Sequence, residues 1–211
     1  MPASMGTRAT SRELMLRSKS CTGLSLRRVG LFLFFVFFPI LGLGCKKGGE
    51  ETQLGDIAVK IELSSTAFGE GATIPKEYTE DGKNVSPPLR WADPPKETKS
   101  LALICDDPDA PRGTWVHWVI FNIPANQREL EEGVPAQEEL SSGTRQGKND
   151  FKKIGYGGPA PPRGKPHRYF FKLYALDTML ELAPGSTKDQ LIAAMKGHAL
   201  AEGQLMGQYG R

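Results

Sequence analysis

The chain has 211 residues, which suits one sizeable domain and leaves little room for a second. With 39% hydrophobic and 24% charged residues it is not a wholly disordered chain. The formal charge of +3 divides unevenly: residues 1–45 hold six basic side chains and one acidic one, so the remainder carries a net −2. That remainder lacks the basic surplus of a nucleic-acid binder, and no nucleic-acid partner is expected.

From Val29 to Gly44 run sixteen residues without a charge, preceded by Arg27-Arg28 and rich in phenylalanine. The run is shorter than the ~20 apolar residues of a membrane span. It has the plan of a secretory signal: a basic region, an apolar core and small residues at its end. It closes as Leu41-Gly42-Leu43-Gly44-Cys45. This resembles a bacterial lipobox, where cleavage precedes a cysteine that then carries lipid. Gly42 stands where leucine is usual, three residues before Cys45. An ordinary signal or an uncleaved anchor is the alternative. Twin-arginine export is disfavoured by Gly30, where a bulky apolar residue is wanted. The tract before Met15 is long for a signal, as a start placed too far upstream would give. The expectation is an exported, membrane-anchored lipoprotein facing the periplasm or cell exterior, lipidated at Cys45, with a soluble periplasmic protein as the alternative. Residues 46–55 are polar and Gly-rich and read as a flexible tether. The domain spans 56–211. Cys105 is the domain's one cysteine, so no internal disulfide is expected, and its apolar surroundings mark a buried structural thiol.

Within the domain, residues 56–63 alternate apolar and polar side chains and predict a half-buried strand. The apolar run 99–105 predicts a buried one. Residues 115–123 form a third, with Trp115, His117, Val119 and Phe121 on one face and Val116, Trp118 and Ile120 on the other. Residues 168–176 form a fourth. One helix is clear: Thr187 and Gln190 make a capping-box pair before Leu191–Met195, and the helix could continue through Gly197 towards Glu202. The stretches 84–95 and 155–166 read as Pro/Gly-rich loops suited to a preformed site. The domain is therefore mainly β with a helix near its C-terminus.

There are three histidines, His117, His167 and His198. His117 lies within a predicted strand and His167 immediately precedes one. Asp106-Asp107-Pro108-Asp109-Ala110-Pro111 is an acidic segment after a strand, which turn statistics alone would explain. Gly155 to His167 is not a P-loop, because Gly164-Lys165 is followed by Pro166. Gly155-Tyr156-Gly157 lacks the flanking pattern of a dinucleotide site. A His117, His167 and carboxylate metal set is permitted by type but not favoured by spacing, so neither metal nor cofactor is expected. Ser141 and Ser142 lie in a polar loop without a nucleophile elbow, and no enzyme is expected.

Three stretches carry a resemblance. Asp107-Pro108-Asp109-Ala110-Pro111, Trp115-Val116-His117-Trp118, and Gly157-Gly158-Pro159 through His167-Arg168-Tyr169 are similar to the phosphatidylethanolamine-binding protein family, nearest its bacterial Raf-kinase-inhibitor-like branch. Asp81–Trp91, Phe171–Asp177, Gly197-His198 and Gly207-Gln208-Tyr209 extend the match over roughly 57–211. Two departures stand out. Thr79-Glu80 precede Asp81 where many bacterial relatives have a cysteine, and the aromatic of the animal members' C-terminal helix has no counterpart. The resemblance implies a β-sandwich-like fold with a few peripheral helices, one near the C-terminus. It also implies a small pocket for phosphate-type anions or phospholipid head groups, made here by Asp107, Pro111, Trp115, His117, Gly158, Pro159, His167 and Tyr169. Inhibition of a protease or kinase through protein contact is the alternative function, and a hydrolase using the His/Asp pair a weaker one. In chemical terms the imidazoles would donate to phosphate oxygens, Asp107 would orient a ring or accept an ammonium, Tyr169 would offer its hydroxyl, and Gly158 its backbone amide.

Overall fold

A computed structural model describes residues 54, 57 and 59–211. The proposed leader at 1–45, Cys45, and the tether at 46–55 apart from Leu54 lie outside the described residues. Among the described residues, nine strands and one α-helix follow in chain order: β1 (Val59–Lys60), β2 (Leu63–Ser64), β3 (Leu89–Trp91), β4 (Ser100–Asp107), β5 (Trp115–Pro124), β6 (Glu129–Leu130), β7 (Arg145–Gln146), β8 (His167–Leu176), α1 (Lys188–Met195) and β9 (Ala199–Tyr209). A six-stranded sheet has the order β1-β9-β8-β4-β5-β7, and a three-stranded sheet the order β2-β3-β6. The pairings are antiparallel except β1 with β9.

Two apolar layers hold these sheets. Leu63, Leu89, Trp91 and Leu130 of the small sheet share one core with Leu101, Leu103, Trp118, Tyr169, Phe171 and Leu173 of the large one. On the opposite face Ala102, Ile104, Val119, Phe121 and Leu176 form a second core with Leu191, Ile192 and Met195 of α1. Each large apolar side chain fully buried this way stabilises the fold by roughly 1.5–3 kcal/mol. The result is the sheet-on-sheet arrangement the resemblance implies, with α1 on the outer face.

The structure corrects the predicted elements at five points. The 56–63 strand is two pieces, β1 and β2, which belong to different sheets. The segment 84–95 contains β3, whose Leu89 and Trp91 are buried. Asp106 and Asp107 are the last residues of β4 rather than loop.

The fourth correction concerns β5, which does not alternate simply. Cys105 pairs with Trp118 but the next residue, Asp106, pairs with Val116, so His117 is an extra residue in the ladder. Trp118 and Ile120 face the inner core and Val119 and Phe121 the outer one, as expected. The β-bulge breaks the alternation before Trp118: Val116 joins Val119 and Phe121 on the outer core, and His117 lies on the inner side against Tyr169.

The fifth correction is at the helix end. The capping box is present: Gln190 N donates to Thr187 Oγ1 and Thr187 N to Gln190 Oε1. The helix stops at Met195, however, and the residues from Ala199 onward form β9.

Candidate functional site

The register of the large sheet builds the site. Strand β4 lies between β5 and β8, and Asp107 pairs with Trp115 at the strand ends. Along β8, His167 and Tyr169 share a parity and are both buried, while Arg168 between them is exposed. Asp107, His117 and His167 consequently face one cavity of about 210 Å³.

Asp107 is 3% exposed and both its oxygens are engaged. His167 Nδ1 donates to Oδ2 at 2.8 Å, and the backbone N–H of Asp109 donates to Oδ1 at 2.8 Å. The second contact is a side-chain-to-backbone turn of the kind Asp favours. Asp107 therefore fixes the His167 ring and leaves Nε2 for a ligand. His117 is 2% exposed, and its Nδ1 lies 2.6 Å from the Gly157 carbonyl. A carbonyl only accepts, so Nδ1 carries the proton and Nε2 is again the remaining ring atom. Gly157 N–H donates back to the His117 carbonyl at 2.9 Å, which ties the Gly/Pro loop to the bulge. The rings of Phe151 and Tyr169 make T-shaped contacts with the His117 ring at centroid distances of 5.5 and 5.1 Å. Burial in this apolar setting pushes the His117 pKa below its usual value, although the Gly157 carbonyl and Asp107 act the other way.

The cavity wall takes in Asp107, Pro111, Trp115, His117 and His167 of the sequence-derived set. Gly158, Pro159 and Tyr169 are not among its lining residues. Tyr169 is fully buried against His117, and burial raises its pKa. Its hydroxyl and the Trp115 indole N–H are buried without a hydrogen-bond partner. Gly158 needs correcting as a ligand-binding amide, because its N–H already donates to Asn84 Oδ1 at 2.7 Å. What the site requires of Gly158 is space: a Cβ there would lie 2.6 Å from the Tyr78 carbonyl. Pro159 accepts from the backbone N–H of Glu80 and seats the loop. His198 is elsewhere, paired with Asp177 on the surface. Cys105 is buried, and burial pushes its thiol pKa well up. Among the described residues no three of His, Cys, Asp and Glu are placed to hold a metal ion.

Sequence reasoning missed Phe151, which lines the cavity and also meets the Trp115 ring edge-on at 5.4 Å. Its signal was a lone aromatic in the polar stretch Lys148–Lys153. Ala110, Ala160, Pro161 and Pro162 complete the wall. The chemistry of the cavity is thus apolar rings and prolines around two imidazoles and one carboxylate.

The sequence matches the family model described as phosphatidylethanolamine-binding protein over residues 64–210. It is 55% identical over 151 residues to a UPF0098 protein of Methanothermobacter thermautotrophicus, covering 72% of this chain and 99% of that one. It is 47% identical over 177 residues to a UPF0098 protein of Pyrococcus abyssi, covering 82% and 94%. Among solved structures it is similar to a phosphatidylethanolamine-binding protein homologue from Chlamydia trachomatis, with 42% identity, a TM-score of 0.66 and coverage of 72% and 98%. It is also similar to Escherichia coli YbcL, a member of the mammalian family, with 30% identity, a TM-score of 0.67 and coverage of 72% and 99%. The family match, these identities and the shared fold establish that this chain belongs to the phosphatidylethanolamine-binding protein family and has its ligand-binding fold.

Proposed function

We propose that the domain binds a phosphate-type anion or phospholipid head group in the cavity between β4, β5 and β8, without turning it over. The observation that carries this reading is the convergence of His117 and His167, each with Nδ1 already held, on one small cavity. With Nδ1 donating inward, each ring donates outward from Nε2 only when it is protonated. The anion is then bound by imidazolium, and binding takes up protons. Two side chains a hydrolytic role would call on are otherwise engaged: burial pushes the Cys105 thiol pKa well up, and the Ser142 hydroxyl donates to Thr144.

Titration calorimetry of residues 46–211 with orthophosphate, phosphoethanolamine and sulfate tests the reading. A charge-assisted hydrogen bond contributes about 1.5–3 kcal/mol, so His167→Ala is expected to weaken orthophosphate binding about tenfold or more. Unchanged affinity in that variant would remove His167 from the site. Sulfate keeps its charge over the relevant range, and its affinity should rise as the pH is lowered from about 8 to about 5.5. A flat profile excludes recognition by imidazolium. Stability of the empty domain moves the other way. The depressed His117 pKa contributes stability that is full above the unfolded value of about 6.5 and is lost as pH falls through the folded value.

The same reading places the domain outside the cytoplasm, tethered through a lipid on Cys45. The apolar run after Arg27-Arg28 and its Gly44-Cys45 end support this. Mass spectrometry of the mature N-terminus should find Cys45 first and acylated, and Cys45→Ala should release the domain from membranes. A mature chain that starts elsewhere would end the lipoprotein assignment.

A further inference from the structure

Beside the cavity lies a second concavity of about 280 Å³, and His167 and Pro162 belong to the walls of both. Asp109, Arg163, Lys165 and Pro166 complete its wall. Asp109 is already saturated by Arg168. Its Oδ1 accepts from Nη2 at 2.7 Å, and its Oδ2 accepts from Nε at 2.8 Å and from the Arg168 backbone N–H at 3.0 Å. Arg168 holds this carboxyl down at about 2, so Asp109 remains charged but is committed to Arg168. Arg163 and Lys165, one residue apart across Gly164, pair with no carboxylate among the described residues. Two unpaired cations in one hollow, in a domain of net −2, repel each other until an anion arrives.

We propose that this hollow is a second anion subsite, so that the site takes a ligand carrying two phosphoryl groups, one against His117 and His167 and the other against Arg163 and Lys165. This rests on the anion-binding reading of the first cavity and names the ligand class for it. His167 is the shared wall, which keeps the two groups within the reach of one small molecule. Arg suits the second group because its planar fork meets two phosphate oxygens at once.

The test compares orthophosphate with pyrophosphate and tripolyphosphate by calorimetry at fixed ionic strength. In the unmodified domain at least one of the two longer probes should bind about tenfold or more tightly than orthophosphate. In Arg163→Ala/Lys165→Ala that ratio should fall towards one. A control pair on the exposed Lys96 and Lys99, replaced by Ala, should keep it, which separates a local subsite from general charge attraction. Phosphatidylcholine vesicles carrying phosphatidylinositol 4-phosphate, compared with vesicles carrying phosphatidylinositol, ask whether the gain appears on a lipid. A gain with the soluble probes alone assigns a soluble ligand, and a gain with the vesicles assigns a lipid head group. Orthophosphate binding with no gain from either source overturns the second subsite alone. Absence of orthophosphate binding overturns the reading on which it rests.

Discussion

Trp118→Ala is expected to lower the unfolding free energy by about 3–5 kcal/mol and to weaken anion binding with it. Trp118 is fully buried in the core between the two sheets. Its indole N–H donates to Gln146 Oε1 at 2.8 Å, and the Gln146 amide in turn donates to the Pro135 and Gln137 carbonyls. Its ring also meets Tyr156, whose hydroxyl donates to the Tyr78 carbonyl. Truncation opens a large void and leaves the buried Gln146 oxygen without its partner. Because Trp118 follows His117 directly at the bulge, its loss also frees the strand that aims His117. Trp118→Phe keeps most of the volume and removes the hydrogen bond, so about 1–3 kcal/mol should be lost. Denaturant unfolding of the two variants checks both figures. Equal losses would show that packing is not the larger part.

Lys188→Met should cost about 3–5 kcal/mol through a different kind of contact. Asp106 is 1% exposed on the α1 side of the large sheet, and its Oδ2 accepts from Lys188 Nζ at 2.6 Å and from Lys172 Nζ at 3.3 Å. Lys188 opens α1, so this ion pair fastens the helix to β4. Removing it leaves a buried carboxylate with Lys172, whose side chain is 28% exposed and already partly in water. A buried charge that loses a partner is destabilised far more than an exposed one. The double variant Asp106→Leu/Lys188→Met removes the charge as well as its partner and should recover most of the loss. A loss below about 1 kcal/mol in Lys188→Met would put the pair in the class of surface bridges. The binding site is a useful internal control, since Asp106 faces away from it while Asp107 faces into it.

The strands that carry the site were legible because their residues are bulky and their pattern is strong. The runs 99–105 and 168–176 could be placed from apolar content alone, and the family resemblance singled out Asp107, His117 and His167. Strand β9 was hidden for a physical reason. Its inward positions include Ala201, Gly203, Leu205 and Gly207, so half of the buried face has no side chain to read. Those glycines are set by neighbours: a Cβ on Gly203 would lie 2.4 Å from the Ile61 carbonyl, and one on Gly207 would lie 2.6 Å from Ile74 Cγ1. The strand leaves room for what crosses it. The bulge at His117 was equally silent, because an extra residue in a ladder exists only relative to the partner strand. Composition could suggest an exposed amide at Gly158, but the partner that takes it, Asn84, is distant in sequence and is brought there by the fold.

The two halves of the candidate site differ in how the backbone beneath them is secured. Asp107, His117 and His167 stand on β4, β5 and β8, each hydrogen-bonded to a strand on either side. To displace any of these strands is to open the sheet, so the backbone beneath the site moves only with the ladders that hold it. Arg163 and Lys165 stand on a stretch outside every strand, and shifting it breaks no ladder. Over evolutionary time the histidine cavity can therefore act as a fixed mould, while the basic lip beside it is open to substitution and to changes of length. Related chains can diverge in which second group they accept without rebuilding the first.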